Sequence, residues 1–173
     1  MTIDMTRHGG AIGLAVAEKI DRRDVWRVRT DMQPDTDGES GEQKGVTFIE
    51  HEFPYKPSMQ EVKDFVYGVI NAKTDQKILS GFVWEGINVW LSTENQFNYS
   101  EAQRMGIVPV VFKLGEKDGE PVYHTFTSTE ELDDFYTKAV AYIQQTLASG
   151  WKEKDSFDFT PYEEALGPNA VEG

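Results

Sequence analysis

The 173-residue chain contains no cysteine, which excludes disulfides, thiolate nucleophiles and zinc sites of the cysteine type, and fits a reducing cytoplasm. Histidine is nearly as scarce. His8, His51 and His124 stand isolated, none with a second ligand at helical or strand spacing, so neither a metal site nor a cofactor is expected. Positive charge is also in short supply: 17 Lys+Arg against 30 Asp+Glu leave a formal net charge of -13. At that charge, long-range Coulomb forces repel nucleic acid and anionic membranes. No run approaches the roughly 18 apolar residues of a membrane span. The first apolar patch, IGLAVAEKI, is broken by Gly13 and closed by Glu18 and Lys19, so neither a leader nor an anchor is expected. GxSxG, HExxH and phosphate-cradling glycine loops are missing too, and no catalytic residue is nominated.

What is present suits a folded protein of one domain and one core, with aromatic residues spread along the chain. The stretch PDTDGESGEQKG, residues 34–45, replaces every large apolar side chain with polar or small ones and reads as a solvated linker. Before it the pattern predicts a short helix over Ile12–Ile20 and a strand over Asp24–Met32. After it one theme recurs three times: an extended apolar stretch, a Ser/Thr-x-x-Glu/Gln signature, then helical spacing. The signatures are Ser58 with Glu61, Thr93 with Gln96, and Ser128 with Glu131. The third helix is expected to stop at Gly150, in a left-handed cap covered by Trp151.

Two hairpins are legible. Glu85-Gly86 as a two-residue turn pairs Trp84 with Ile87, Phe82 with Val89 and Gly81 with Trp90, and Asp118-Gly119 turns the second. Alternation then puts Phe82, Trp84, Ile87, Val89 and Leu91 on a core face, with Val83 and Trp90 on the other. Trp90 there either lies under another segment, such as the N-terminal arm, or belongs to a contact surface. His51 and His124 are expected on the polar faces of their strands. The fold class is α+β, with antiparallel hairpins packed on about three helices. Its parts are an arm and linker over residues 1–45, a core over 46–158 and a loosely ordered acidic tail over 159–173.

The candidate interface or ligand contacts are Trp90, Val83, Asn95, Tyr99 and Trp26. Asn95, Gln96 and Asn98 beside Trp90 and Tyr99 have the chemistry of a sugar site, with the rings as stacking platforms. The same amides also suit a polar first helical turn. Trp26 is flanked by the four arginines of RRDVWRVR, residues 22–29, which read as a half-buried strand with a solvated basic edge or as a dock for the acidic tail of a neighbouring copy. The acidic pairs Glu130-Glu131 and Asp133-Asp134 fall near a helix start, where the dipole favours them without any catalytic role.

Three words, ILSGFVWEGINVWLSTENQFNYSEAQ, VPVVFK and PVYHTFTSTEELDDFYTKAVAYIQQTLASGWKEKD, resemble a family found in tailed bacteriophages and prophages of gut anaerobes. Its members carry a domain of unknown function in tail-fibre-type and tail-associated proteins. The family pattern is a helix entering a G-F-x-W/F-x-G hairpin, a polar helix, a second hairpin and a closing helix, and residues 46–158 follow it. The resemblance implies a non-enzymatic tail fibre or baseplate component, or a fibre assembly factor, located in the virion or in the host bacterial cytoplasm. Its implied partners are phage tail or fibre proteins, a second copy of the chain among them, so an oligomer is compatible. The alternatives are a small-ligand or glycan-binding module and an acidic inhibitor of a host factor.

Overall fold

The computed structural model describes residues 2–168. The fold is α+β: among the described residues there are four helices and two four-stranded antiparallel sheets. The chain divides into two compact units, one of residues 1–72 and 154–173, the other of residues 73–153.

In the first unit β1 (Arg7–Gly10), β2 (Ala17–Ile20), β3 (Val25–Thr36) and β4 (Gln43–Phe53) form a sheet in the order β1-β4-β3-β2. The register sets Val28 opposite His51, Thr30 opposite Ile49 and Trp26 opposite Phe53, so one pleat collects the apolar side chains. Helix α1 (Met59–Ser80) buries Val62, Phe65, Val66, Val69 and Ile70 in the same core, the spacing of a single helical stripe. Helix α4 (Thr160–Leu166) adds Tyr162 and Leu166, and the Tyr162 hydroxyl donates to the Arg29 carbonyl at 2.8 Å.

In the second unit β5 (Phe82–Trp84), β6 (Ile87–Val89), β7 (Val110–Lys117) and β8 (Glu120–Phe126) form a sheet in that order. Helices α2 (Thr93–Met105) and α3 (Thr129–Asp155) cover one face, with Tyr99, Leu132, Phe135 and Ala139 packed on Phe82, Trp84, Ile87, Val89 and Leu91. The expected pairs Phe82 with Val89 and Trp84 with Ile87 are present. Both turns have the positive backbone angles of type I′: φ is 50° and 77° at Glu85 and Gly86, 53° and 83° at Asp118 and Gly119.

The helix starts follow the capping logic, with adjustments. At α1, Glu61 Oε2 accepts from the Ser58 amide at 2.8 Å and Ser58 Oγ from the Glu61 amide at 3.3 Å, a complete reciprocal box. At α2 the cap is Ser92, one residue before the expected Thr93: its hydroxyl accepts from the Asn95 amide at 3.2 Å, while Gln96 Nε2 donates to the Leu91 carbonyl. At α3, Ser128 Oγ accepts from Glu131, but the Glu131 carboxylate takes the Thr127 amide and His124 instead of closing on Ser128.

Several expectations are corrected. Residues 1–45 are no separate arm, since β1 and β3 pair with β4, whose backbone groups would otherwise lack partners on both sides. The polar stretch 34–45 is the far end of the β3–β4 hairpin, where Asp37 Oδ1 accepts from the Glu39 and Ser40 amides. Residues 46–158 share no single core: two sheets each bring one apolar face and bury it in separate clusters. Residues 12–20 make a turn and strand β2, not a helix, because ladder pairing with β3 overrides local spacing. The tail is partly ordered by α4, and residues 169–173 lie outside the described residues. Gly150 does not end α3. It sits inside the helix, buried, where a Cβ would meet Thr74 Oγ1 at 2.5 Å.

Candidate functional site

The face of the second sheet turned away from α2 and α3 carries large apolar side chains in solvent. Strand pairing sets Val83 opposite Asn88, Lys113 opposite Tyr123 and Val111 opposite Thr125, so all of these side chains share that face. Their partners one residue away, Phe82, Phe112 and Phe126, pack inward. Tyr123 is 66% exposed, Val111 58% and Val83 57%, and Trp90 keeps 38%.

Trp90 follows β6 and is held by the backbone on both sides. Its amide donates to the Leu114 carbonyl at 2.8 Å, and its own carbonyl accepts from Asn95 Nδ2 at 2.9 Å. The Lys113 ammonium stands 5.5 Å from the Trp90 ring centre and 6.0 Å from that of Tyr123, a cation between two aromatic faces. This arrangement offers flat rings, a fixed positive charge and short aliphatic side chains, the residue chemistry of a protein contact surface.

Of the expected contact residues, the structure brings Trp90 and Val83 to this face. Asn95 is half-buried and engaged in fixing the Trp90 carbonyl. Tyr99 is buried, packed edge-on against Phe112 and Phe135 at 4.9 and 5.1 Å, so it is no stacking platform, and of the two readings of the amides the polar first helical turn fits. Burial pushes the Tyr99 hydroxyl up to about 12. Trp26 belongs to the first unit, half-buried on its core. Sequence reasoning missed Lys113, Val111 and Tyr123. The available signal was Phe126, two residues beyond His124: a strand that buries Phe126 must turn His124 inward and Tyr123 outward.

His124 accordingly lies among Trp84 and Phe126, with ring centres 5.1 and 4.6 Å away, and its Nε2 is 2.8 Å from Glu131 Oε1. That hydrogen bond first, then the Thr127 amide, holds the Glu131 carboxyl below its usual range. Asp134 is lowered chiefly by Lys138 and also faces Trp84 Nε1 at 3.5 Å. His51 shows the same inversion, edge-on to Phe53 and tilted against Phe65 on the core side of β4, where burial lowers its pKa.

Among the described residues no group of three or more His, Asp or Glu could hold a metal ion, and no helix is long and apolar enough to cross a membrane. Comparison with protein-family models, with curated proteins and with solved structures finds no match to the chain.

Proposed function

We propose that this chain is a non-enzymatic, tail-associated protein of a bacteriophage or prophage, a fibre or baseplate component or a fibre assembly factor, and that it works by protein contacts through the outer face of its second sheet. The observation that supports contact as its mode of action is the exposed run of Tyr123, Val111, Val83 and Trp90 around Lys113, rings and aliphatic groups set on a rigid, paired backbone. The phage setting rests on the resemblance of residues 46–158, above all the GFVWEG hairpin and the SxxE start of the closing helix.

Quantitative mass spectrometry of purified particles beside the crude lysate tests the reading. A fixed copy number per particle is expected for a virion part, and presence in the lysate alone for an assembly factor. In either case Tyr123→Ala with Trp90→Ala should remove the chain from its tail partners while leaving its circular dichroism unchanged. A double variant that kept the same partners would refute the contact face, and a chain found with no tail or fibre protein in either fraction would refute the setting.

A further inference from the structure

The first unit holds a second candidate, on the face of its sheet opposite the apolar core. A concave basin of about 510 Å³ is lined there by charged side chains of three strands, with Leu14 and Phe48 among them. That volume lies within the range of roughly 300–1,000 Å³ typical of small-ligand sites. The strand register creates it: Arg27 stands opposite both Glu18 and Glu52, and Arg29 opposite Glu50.

Arg29 is its fixed element. Only 3% of its side chain is exposed; Nε donates to Glu50 Oε2 at 2.7 Å, Nη1 to the Ala15 carbonyl at 2.8 Å and Nη2 to Glu18 Oε1. The expected solvated basic edge is therefore wrong at this residue, because the paired strand supplies carboxylates that draw the guanidinium inward. Each carboxylate keeps one oxygen that accepts no hydrogen bond among the described residues, although that of Glu50 is ion-paired with Arg27. Glu50 Oε1 lies 3.4 Å from Arg27 Nε without a hydrogen bond, and Glu18 Oε2 accepts none among the described residues. On the donor side, the Arg27 side chain donates only from Nε, to Glu52 Oε1 at 2.9 Å, and its terminal nitrogens make no hydrogen bond among the described residues. The His8 ring makes no hydrogen bond among the described residues either, and stacks at 6.1 Å over Phe48.

The open valences select the ligand. Three carboxylates, Glu18, Glu50 and Glu52, face three guanidiniums, Arg23, Arg27 and Arg29. An anion would meet the carboxylates and a cation the guanidiniums, each at a desolvation cost. A hydroxyl group both donates and accepts, so several of them on one small frame satisfy both sets. Leu14 supplies an apolar patch for the C–H face of such a frame, with the buried Phe48 ring beneath the basin. We infer that this basin binds a neutral polyhydroxylated ligand, a sugar residue, with Arg27 and His8 donating to its oxygens and Glu50 and Glu18 accepting from its hydroxyls. The site is in the first unit and stands independently of the contact face.

The test is a titration of the full chain with methyl glycosides of glucose, galactose, mannose and N-acetylglucosamine, followed by amide NMR shifts. Saturable binding of at least one is expected, with shifts centred on β1 to β4. Arg27→Ala and His8→Ala should each weaken it about tenfold while the spectrum stays dispersed. Should Arg27→Ala fail to fold, His8→Ala decides alone, since its ring holds no hydrogen bond in the structure. No saturation by any of the four at about 50 mM, shifts centred on β5 to β8, or unchanged affinity in the variants would overturn the inference.

Discussion

His51 shows how a single side chain couples the first core to pH. Its ring lies against Phe53 and Phe65, 4.7 and 5.6 Å between centres, and burial there disfavours the imidazolium, lowering the pKa from its ordinary 6.5. The unfolded chain takes up this proton near 6.5 and the folded chain only at lower pH. The stabilisation from neutral His51 is thus complete above 6.5 and is lost as pH falls from 6.5 through the folded value. Urea midpoints measured across that window should fall further for the native chain than for His51→Leu; parallel curves would show that another group sets the slope. The sequence contains the alternation that places His51 with Ile49 and Phe53, yet residue type argued the opposite, since histidine is usually given to the polar face. Tyr99 misleads in the same way: beside three amides it has the chemistry of a binding site, and only the packing of Phe112 and Phe135 shows the ring to be core.

Among the elements, α1 and α3 were the most legible, because buried positions at helical spacing, five in α1 and Leu132, Phe135 and Ala139 in α3, agree with a Ser-x-x-Glu start. Their ends were not, since glycine signals both a stop and a close approach. Gly150 separates the two meanings. A helical glycine exposed to solvent gains roughly 1 kcal/mol on replacement by alanine, whereas at Gly150 the new methyl would meet Thr74 Oγ1 at 2.5 Å and Cγ2 at 3.3 Å. Overpacking of that kind costs about 1–3 kcal/mol, so Gly150→Ala should lower stability despite the better helix former. Thr74→Ala introduced with it should restore most of the loss, because the clash lies with that side chain. A Gly150→Ala chain more stable than the native one would show that the helices can part at no cost. The strand expected over Asp24–Met32 is most of β3, but β1, β2 and the far end of β3 were hidden for a different reason: β1 pairs with the distant β4, β2 takes its form from β3, and the turn residues at 34–45 are as polar as a linker.

Taken whole, the molecule sets an apolar contact face against a net charge of -13, and the two act over different distances. Burial of Tyr123, Val111 and Val83 operates only at contact, while repulsion between like-charged copies reaches about 10 Å at 0.1 M salt and roughly 3 Å at 1 M. Lys113 relieves the charge only locally, between the two rings. If a second copy is the partner, association through this face must therefore strengthen as salt is added, the reverse of a contact built on ion pairs. Sedimentation velocity at about 0.05 and 0.5 M salt measures this, since the Debye length falls severalfold between them. The native chain should sediment faster at the higher salt, and Val83→Glu with Val111→Glu should abolish the change by adding charge where the face must dehydrate. A chain that stays monomeric at both concentrations would assign the face to a different protein, whereas self-association weakened by salt would move the contact to the charged side of the first sheet.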